Sequence, residues 1–92
     1  MMKTYPIKTS DTAYRVISDK AVLVNFKNSY FFSLNPVGTF IWERCDGRHS
    51  PDEIAAELAH EFEVTLEEAV KDCLEFLHSL KENGLLQWND PI

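Results

Sequence analysis

The chain predicts a small α+β domain of the winged helix-turn-helix class, a three-stranded antiparallel meander followed by three helices. Two observations predict the class and a third bounds its size. Residues 13–34 are rich in β-branched and aromatic side chains at alternating positions, whereas residues 35–84 carry apolar side chains at helical spacing, with a start signal before each of three runs. Ninety-two residues, 45% hydrophobic and 26% charged, suffice for one modest core and leave no room for a second domain. The expected organisation is one domain over 1–92: an extended arm over 1–12, strands over 13–34, and helices and a tail over 35–88.

The arm is polar and carries Pro6, with Tyr5 and Ile7 available to dock on the body. Strands are expected at Tyr14 to Ile17, Ala21 to Phe26 and Ser29 to Leu34. They are joined at Ser18-Asp19-Lys20 and Lys27-Asn28-Ser29, since Asn and Asp tolerate the left-handed geometry of tight hairpins. Alternation places Val22, Val24 and Phe26 on one face of the second strand. In the third it places Tyr30, Phe32 and Leu34 on one face and Phe31 and Ser33 on the other. Helices must cover one face of this sheet. The third strand has neither charge nor proline to blunt its edge, so it is either covered by the chain itself or open to a partner.

Asn35-Pro36 opens the first helix with an N-cap and a proline at the first helical position, and Asp46-Gly47 ends it near Cys45. Val37, Phe40, Ile41 and Cys45 form its apolar side, and Gly38 predicts a close approach to another backbone. Ser50-Pro51-Asp52-Glu53 is a capping box for the second helix, with Ile54, Ala55, Leu58, Ala59 and Phe62 as its stripe. After a break at Glu63-Val64, Thr65 and Glu68 repeat the box at the start of the longest helix, which Gly84 closes. Leu85 to Trp88 reads as a brief strand or a docked tail that Pro91 stops.

In the longest helix Leu66, Ala69, Val70, Cys73, Leu74, Phe76, Leu77 and Leu80 fall in an arc of roughly 160°, with acids and amides opposite. An arc of about 100° is enough to bury a helix on a core. The excess width has two readings. The helix lies between two neighbours, or one edge of its arc is the wall of a binding cleft.

Composition excludes several functions. Net charge is −6, and between Leu66 and Asn83 the acids Glu67, Glu68, Asp72, Glu75 and Glu82 outnumber Lys71 and Lys81. A DNA-reading helix needs Arg, Lys, Asn or Gln on that outer face, so nucleic acid is not an expected partner. Cys73 and His78 are five apart and diverge by about 140° on a helix, while Cys45 and His49 lack further ligands, so no metal site is expected. The carboxylates lie on solvent faces and the serines at caps and turns, with no tuned pair for acid-base or nucleophilic work. No catalytic residue and no cofactor are therefore expected. Two cysteines are too few for a disulfide framework and suit a reducing compartment. The longest apolar run, Tyr30 to Leu34, is too short for a bilayer, and MMKTYPIKTSD has no apolar signal core, so a cytoplasmic chain without membrane contact is expected.

What the pattern does support is recognition of an extended peptide by β-augmentation, with main-chain bonds from a strand edge and pockets for alternate side chains. Phe31 or Phe32, with Ala69, Cys73, Phe76 and Leu80, would line an apolar slot if the longest helix stands beside the third strand. Pairing of two copies through the same edge, as a homodimer or by swapping, stays open.

The residues Phe32-Ser-Leu-Asn-Pro-Val-Gly-Thr-Phe-Ile-Trp42, Cys45-Asp-Gly47, Glu53-Ile-Ala55, Leu58, Phe62, Asp72, Phe76-Leu77, Leu80 and Gly84-Leu-Leu86 together resemble the PqqD family. The family is named for pyrroloquinoline quinone biosynthesis protein D and is similar to the RiPP recognition element of peptide-modification pathways. The resemblance runs from about Tyr14 to Leu86. It implies that the domain is a stand-alone peptide chaperone, binding the leader segment of a ribosomally made precursor peptide as an added strand and presenting it to a modifying enzyme such as a radical SAM protein or a leader peptidase. Carried onto this chain, the implied peptide-binding residues are Tyr30, Phe31, Phe32, Ser33 and Leu34 of the third strand with Ala69, Asp72, Cys73, Phe76 and Leu80 of the longest helix. Asp72 would sit at the rim and hold a cationic or amide group. The segment Val24 to Ser29 lacks the proline-glutamate-glycine turn of the quinone-pathway members, so the chain looks closer to stand-alone recognition proteins of other pathways, lasso-type ones included. A DNA-binding regulator of winged helix-turn-helix type and a purely structural partner domain are the alternatives.

Overall fold

Two hairpin turns shape the meander. In the computed structural model, which describes residues 5–89, strand β2 (Thr12–Ile17) and strand β3 (Lys20–Asn25) are joined by Ser18 and Asp19 at φ 49° and 66°. Two successive left-handed residues match the twist of a tight hairpin. Strand β4 (Tyr30–Ser33) follows a loop in which Asn25 Oδ1 accepts from the Lys27 amide at 2.9 Å and Asn28 Oδ1 accepts from the Tyr30 amide at 3.0 Å. The sheet order β2-β3-β4 puts β3 in the middle.

Alternate residues of β3 divide inside from outside: Ala21, Leu23 and Asn25 are buried, whereas Val22 and Val24 are half-exposed on the outer face, which the helices leave uncovered. Phe26, expected on the face of Val22 and Val24, lies past the strand end and is exposed. Register pairs Leu23 with Phe32 and Val24 with Phe31, so Phe32 shares the inner face and Phe31 the outer.

Three capped helices cover the inner face. Helix α1 (Pro36–Glu43) starts where Asn35 Oδ1 accepts from the Gly38 amide at 2.7 Å. It ends two residues before the expected Cys45. Helix α2 (Pro51–Phe62) opens on a complete capping box: the Ser50 amide donates to Glu53 Oε1 at 2.9 Å and the Glu53 amide to Ser50 Oγ at 3.2 Å. Glu63, left-handed at φ 52°, turns the chain into helix α3 (Leu66–Glu82), whose Thr65 hydroxyl accepts from the Glu68 amide at 3.1 Å. Gly84 at φ 74° then folds the end of α3 onto β3, where a Cβ would stand 3.0 Å from the buried Asn25 amide nitrogen.

The core lies between sheet and helices and contains Leu23, Ile41, Trp42, Ile54, Leu58, Leu77 and Leu85, all almost wholly buried. Trp42, which the apolar stripe assigned to α1 omitted, is its largest member, with the Tyr14 ring edge-on at 5.5 Å. The Ala21 amide donates to Thr39 Oγ1 at 2.8 Å and ties α1 to the start of β3.

The described part of the expected arm, residues 5–12, includes a strand. Strand β1 (Tyr5–Lys8) pairs antiparallel with β5 (Leu86–Asn89), Pro6 opposite Trp88, and Pro6 is fully buried. Four residues cannot hold a strand without a partner. The partner lies at the other end of the chain, beyond the reach of local pattern. The same pairing decides between brief strand and docked tail for Leu85 to Trp88. Residues 1–4 of the arm and the stop at Pro91 lie outside the described residues. No helix among those described is long and apolar enough to cross a membrane.

Candidate functional site

Strand β4 is an edge strand. The Leu34 amide donates to the Ala21 carbonyl at 2.8 Å. In an antiparallel ladder alternate residues turn both main-chain groups to the same neighbour. Phe32, like Leu34, therefore addresses β3, and Phe31 and Ser33 turn their N–H and C=O groups to the open side.

Across that side stands α3. A groove of about 520 Å³ lies where the end of β4, the first turns of α1 and the middle of α3 converge. Its apolar surface comes from Leu34, Val37, Ile41 and Phe76; its polar rim comes from Ser33, Asn35, Asp72 and Glu75. Leu34 and Ile41 are buried, Val37 and Phe76 half-buried, and the two acids exposed. At the other end of β4 a polar recess of about 540 Å³ joins Tyr30 to Asp11, Lys27, Glu82 and Asn83. The two strand ends thus face opposite kinds of surface, apolar near Ser33 and polar near Tyr30. The described part of the C-terminal tail does not fill the groove, because β5 is committed to β1.

The sequence-derived residues are placed as follows. Tyr30 and Phe31 are exposed, Phe31 by 73%, Phe32 is half-buried, and Ser33 and Leu34 line the groove. Asp72 and Phe76 meet them there from α3. Ala69, Cys73 and Leu80 do not: they are 0%, 0% and 3% exposed and pack in the core. Asn35, Val37, Gly38, Ile41 and Glu75 belong to the groove and were absent from the sequence-derived set. The one signal for them was Gly38, and its neighbour is not the expected backbone. A Cβ at Gly38 would meet the Phe76 ring at 3.0 Å and Asn35 Oδ1 at 3.2 Å, so the close approach is to an aromatic side chain.

Reactive chemistry is weak in these surroundings. Burial pushes both thiols up to about 12: Cys45, whose Sγ lies 3.3 Å from the Ile41 carbonyl, and Cys73, 3.8 Å from that of Pro51. Neither is a thiolate near neutrality. Among the described residues no group of three or more His, Cys, Asp or Glu is placed to hold a metal ion. His49 bridges Asp46 at 3.0 Å and Glu57 at 3.6 Å, a surface link between α2 and the segment before it.

Comparison with known proteins adds two findings. The model of the family described as coenzyme PQQ synthesis protein D (PqqD) matches residues 20–86. Two solved structures share the fold: TbiB1 in complex with the TbiA(beta) leader peptide, at a TM-score of 0.82 and 26% identity over 88% of this chain and 94% of that one; and a lasso peptide synthetase B1 complexed with the leader peptide, at 0.80 and 27% over 89% and 96%. No curated protein matches at a comparable level of significance.

Proposed function

This chain belongs to the PqqD family, and on that premise we propose that it binds the leader segment of a ribosomally made precursor peptide as a strand added to β4. The observation that carries the reading is the bare edge of β4, with the main-chain groups of Phe31 and Ser33 facing a groove whose far wall is α3. The leader peptides held by TbiB1 and by the lasso synthetase B1 support it.

A guest strand bonds to Phe31 and Ser33, each main-chain bond contributing about 0.5–1.5 kcal/mol net. Side chains on its inner face enter between Leu34, Val37 and Phe76, each fully buried one contributing about 1.5–3 kcal/mol. After the costs of association and of ordering a flexible peptide, the sum gives affinity on the order of micromolar. Asp72 and Glu75 at the rim favour a leader with a cationic or amide group next to its apolar anchor. The contribution of Tyr30 and Phe32 is the strand itself, while Ala69, Cys73 and Leu80 hold α3 at the right distance from within the core.

The domain does no chemistry in this reading. It presents the leader, in the cytoplasm, to a separate modifying enzyme of the radical SAM or leader-peptidase kind. A homodimer formed through β4 would compete with the leader for the same edge. Duplex DNA is disfavoured because the outward side of α3 exposes Glu67, Glu68, Asp72, Glu75 and Glu82. The test is a titration of isotope-labelled protein with the leader of a short precursor peptide found encoded next to its gene. The amides of Phe31 and Ser33 shift and become protected from exchange; shifts confined to other elements, or none, refute the reading.

A further inference from the structure

We propose that Gly38 sets the size of the guest side chain that the groove accepts, by letting the Phe76 ring lie back against α1. The proposal rests on the peptide-binding reading and adds a specificity determinant to it.

Glycine in the first turn of a helix weakens that helix relative to alanine, so an occupant of the vacant Cβ position is the point of interest. Here it is the Phe76 ring: a Cβ on Gly38 would stand 3.0 Å from Cζ and 3.1 Å from Cε1 of that ring. Neither helix is free to retreat. The Gly38 amide is held by Asn35 Oδ1 at 2.7 Å and the next residue, Thr39, by the Ala21 amide at 2.8 Å. On the other side α3 is anchored by wholly buried Ala69, Cys73 and Leu77. The half-buried ring of Phe76 is the movable part. A methyl at position 38 drives the ring toward another staggered well, over the groove that it lines together with Leu34 and Val37. Gly38 thus keeps the door open, and Phe76 is the door.

The probe is a displayed library of random peptides of about 15 residues, selected against the full chain, against Gly38→Ala and against Phe76→Ala. The native chain enriches a bulky aliphatic or aromatic residue at one anchor position. Gly38→Ala shifts that anchor to Ala or Val and binds the native-selected peptides about tenfold more weakly or worse, whereas Phe76→Ala shifts it to larger rings. In the double variant most of the Gly38→Ala effect disappears, because no ring is left to displace and only the contact with Asn35 Oδ1 at 3.2 Å remains. An anchor profile unchanged in both variants overturns the proposal while leaving peptide binding intact. Failure of the native chain to enrich any peptide overturns the peptide-binding reading and this one with it. Should Gly38→Ala not fold, the direction of the Phe76→Ala shift decides alone.

Discussion

The two flanks of α3 are made from the same helix and do opposite work. Along one, Ala69, Cys73, Leu77 and Leu80 are sealed in the core, where α3 packs chiefly on α2 and β5, and nothing but the fold can touch them. Along the other, Asp72, Glu75 and Phe76 leave core packing unfinished and face β4 across open space. The lesson is that an apolar arc wider than a core requires is not uniformly available to a ligand. Its centre belongs to the core, and one margin lines the groove.

Substitutions on each flank break or sharpen that contrast. The largest effect falls on the sealed side: Leu77→Ala should lower unfolding free energy by about 2–5 kcal/mol in urea titrations. A loss below about 1 kcal/mol would mean that this flank is not core. Next come the thiols. Cys45 and Cys73, raised by burial from 9.0 to about 12, stay protonated in the folded chain when the unfolded chain ionises. The unfolded state then binds fewer protons, so stability present below pH 9 is lost progressively as pH rises toward 12. Lys8 acts the other way in an overlapping range, because burial lowers its pKa from 10.5. Comparing native protein with the Cys45→Ala, Cys73→Ala double variant cancels that contribution, and the native chain should lose stability more steeply above pH 9.

On the open side, Phe31→Pro removes an amide that faces none of the described strands, a position where edge strands tolerate proline. Leader affinity by fluorescence titration should fall at least about tenfold, whereas the melting temperature should move by only a few degrees. Equal losses of both would put the Phe31 amide in the β3 ladder and undo the register. Thr65→Ala removes the hydroxyl that caps α3 at 3.1 Å and should cost about 1 kcal/mol of stability with leader affinity unchanged. The smallest effect is Asp72→Asn, a loss of a few-fold in affinity for a cationic leader, abolished in about 1 M salt. A loss that persists in salt would indicate a hydrogen bond instead of a charge.

How much of this was legible beforehand follows the distance over which each feature acts. The starts at Asn35, Ser50 and Thr65 and the turn at Ser18-Asp19 were readable because a cap or a hairpin is completed within four residues. Edge strand β4 was readable from its uncharged aromatic run. Strand β1 was not, since its partner is β5, and neither has a pattern that names the other. The helix-borne half of the site was only partly readable. Periodicity put Ala69, Cys73, Leu80 and Phe76 on one arc, but only the packing of α3 into the core separated the buried three from the groove-lining Phe76.

The amino-acid order alone determined the meander, the three helices, their caps and the family likeness, since these depend on contacts between near neighbours and on the burial of apolar side chains. Tertiary structure alone decided that β1 closes on β5, that α1 supplies Val37 and Ile41 to the groove, and that a missing side chain at position 38 houses the ring of Phe76. Those outcomes depend on which surfaces far apart in the chain come to share one volume, and every side chain in the core contributes to that arrangement.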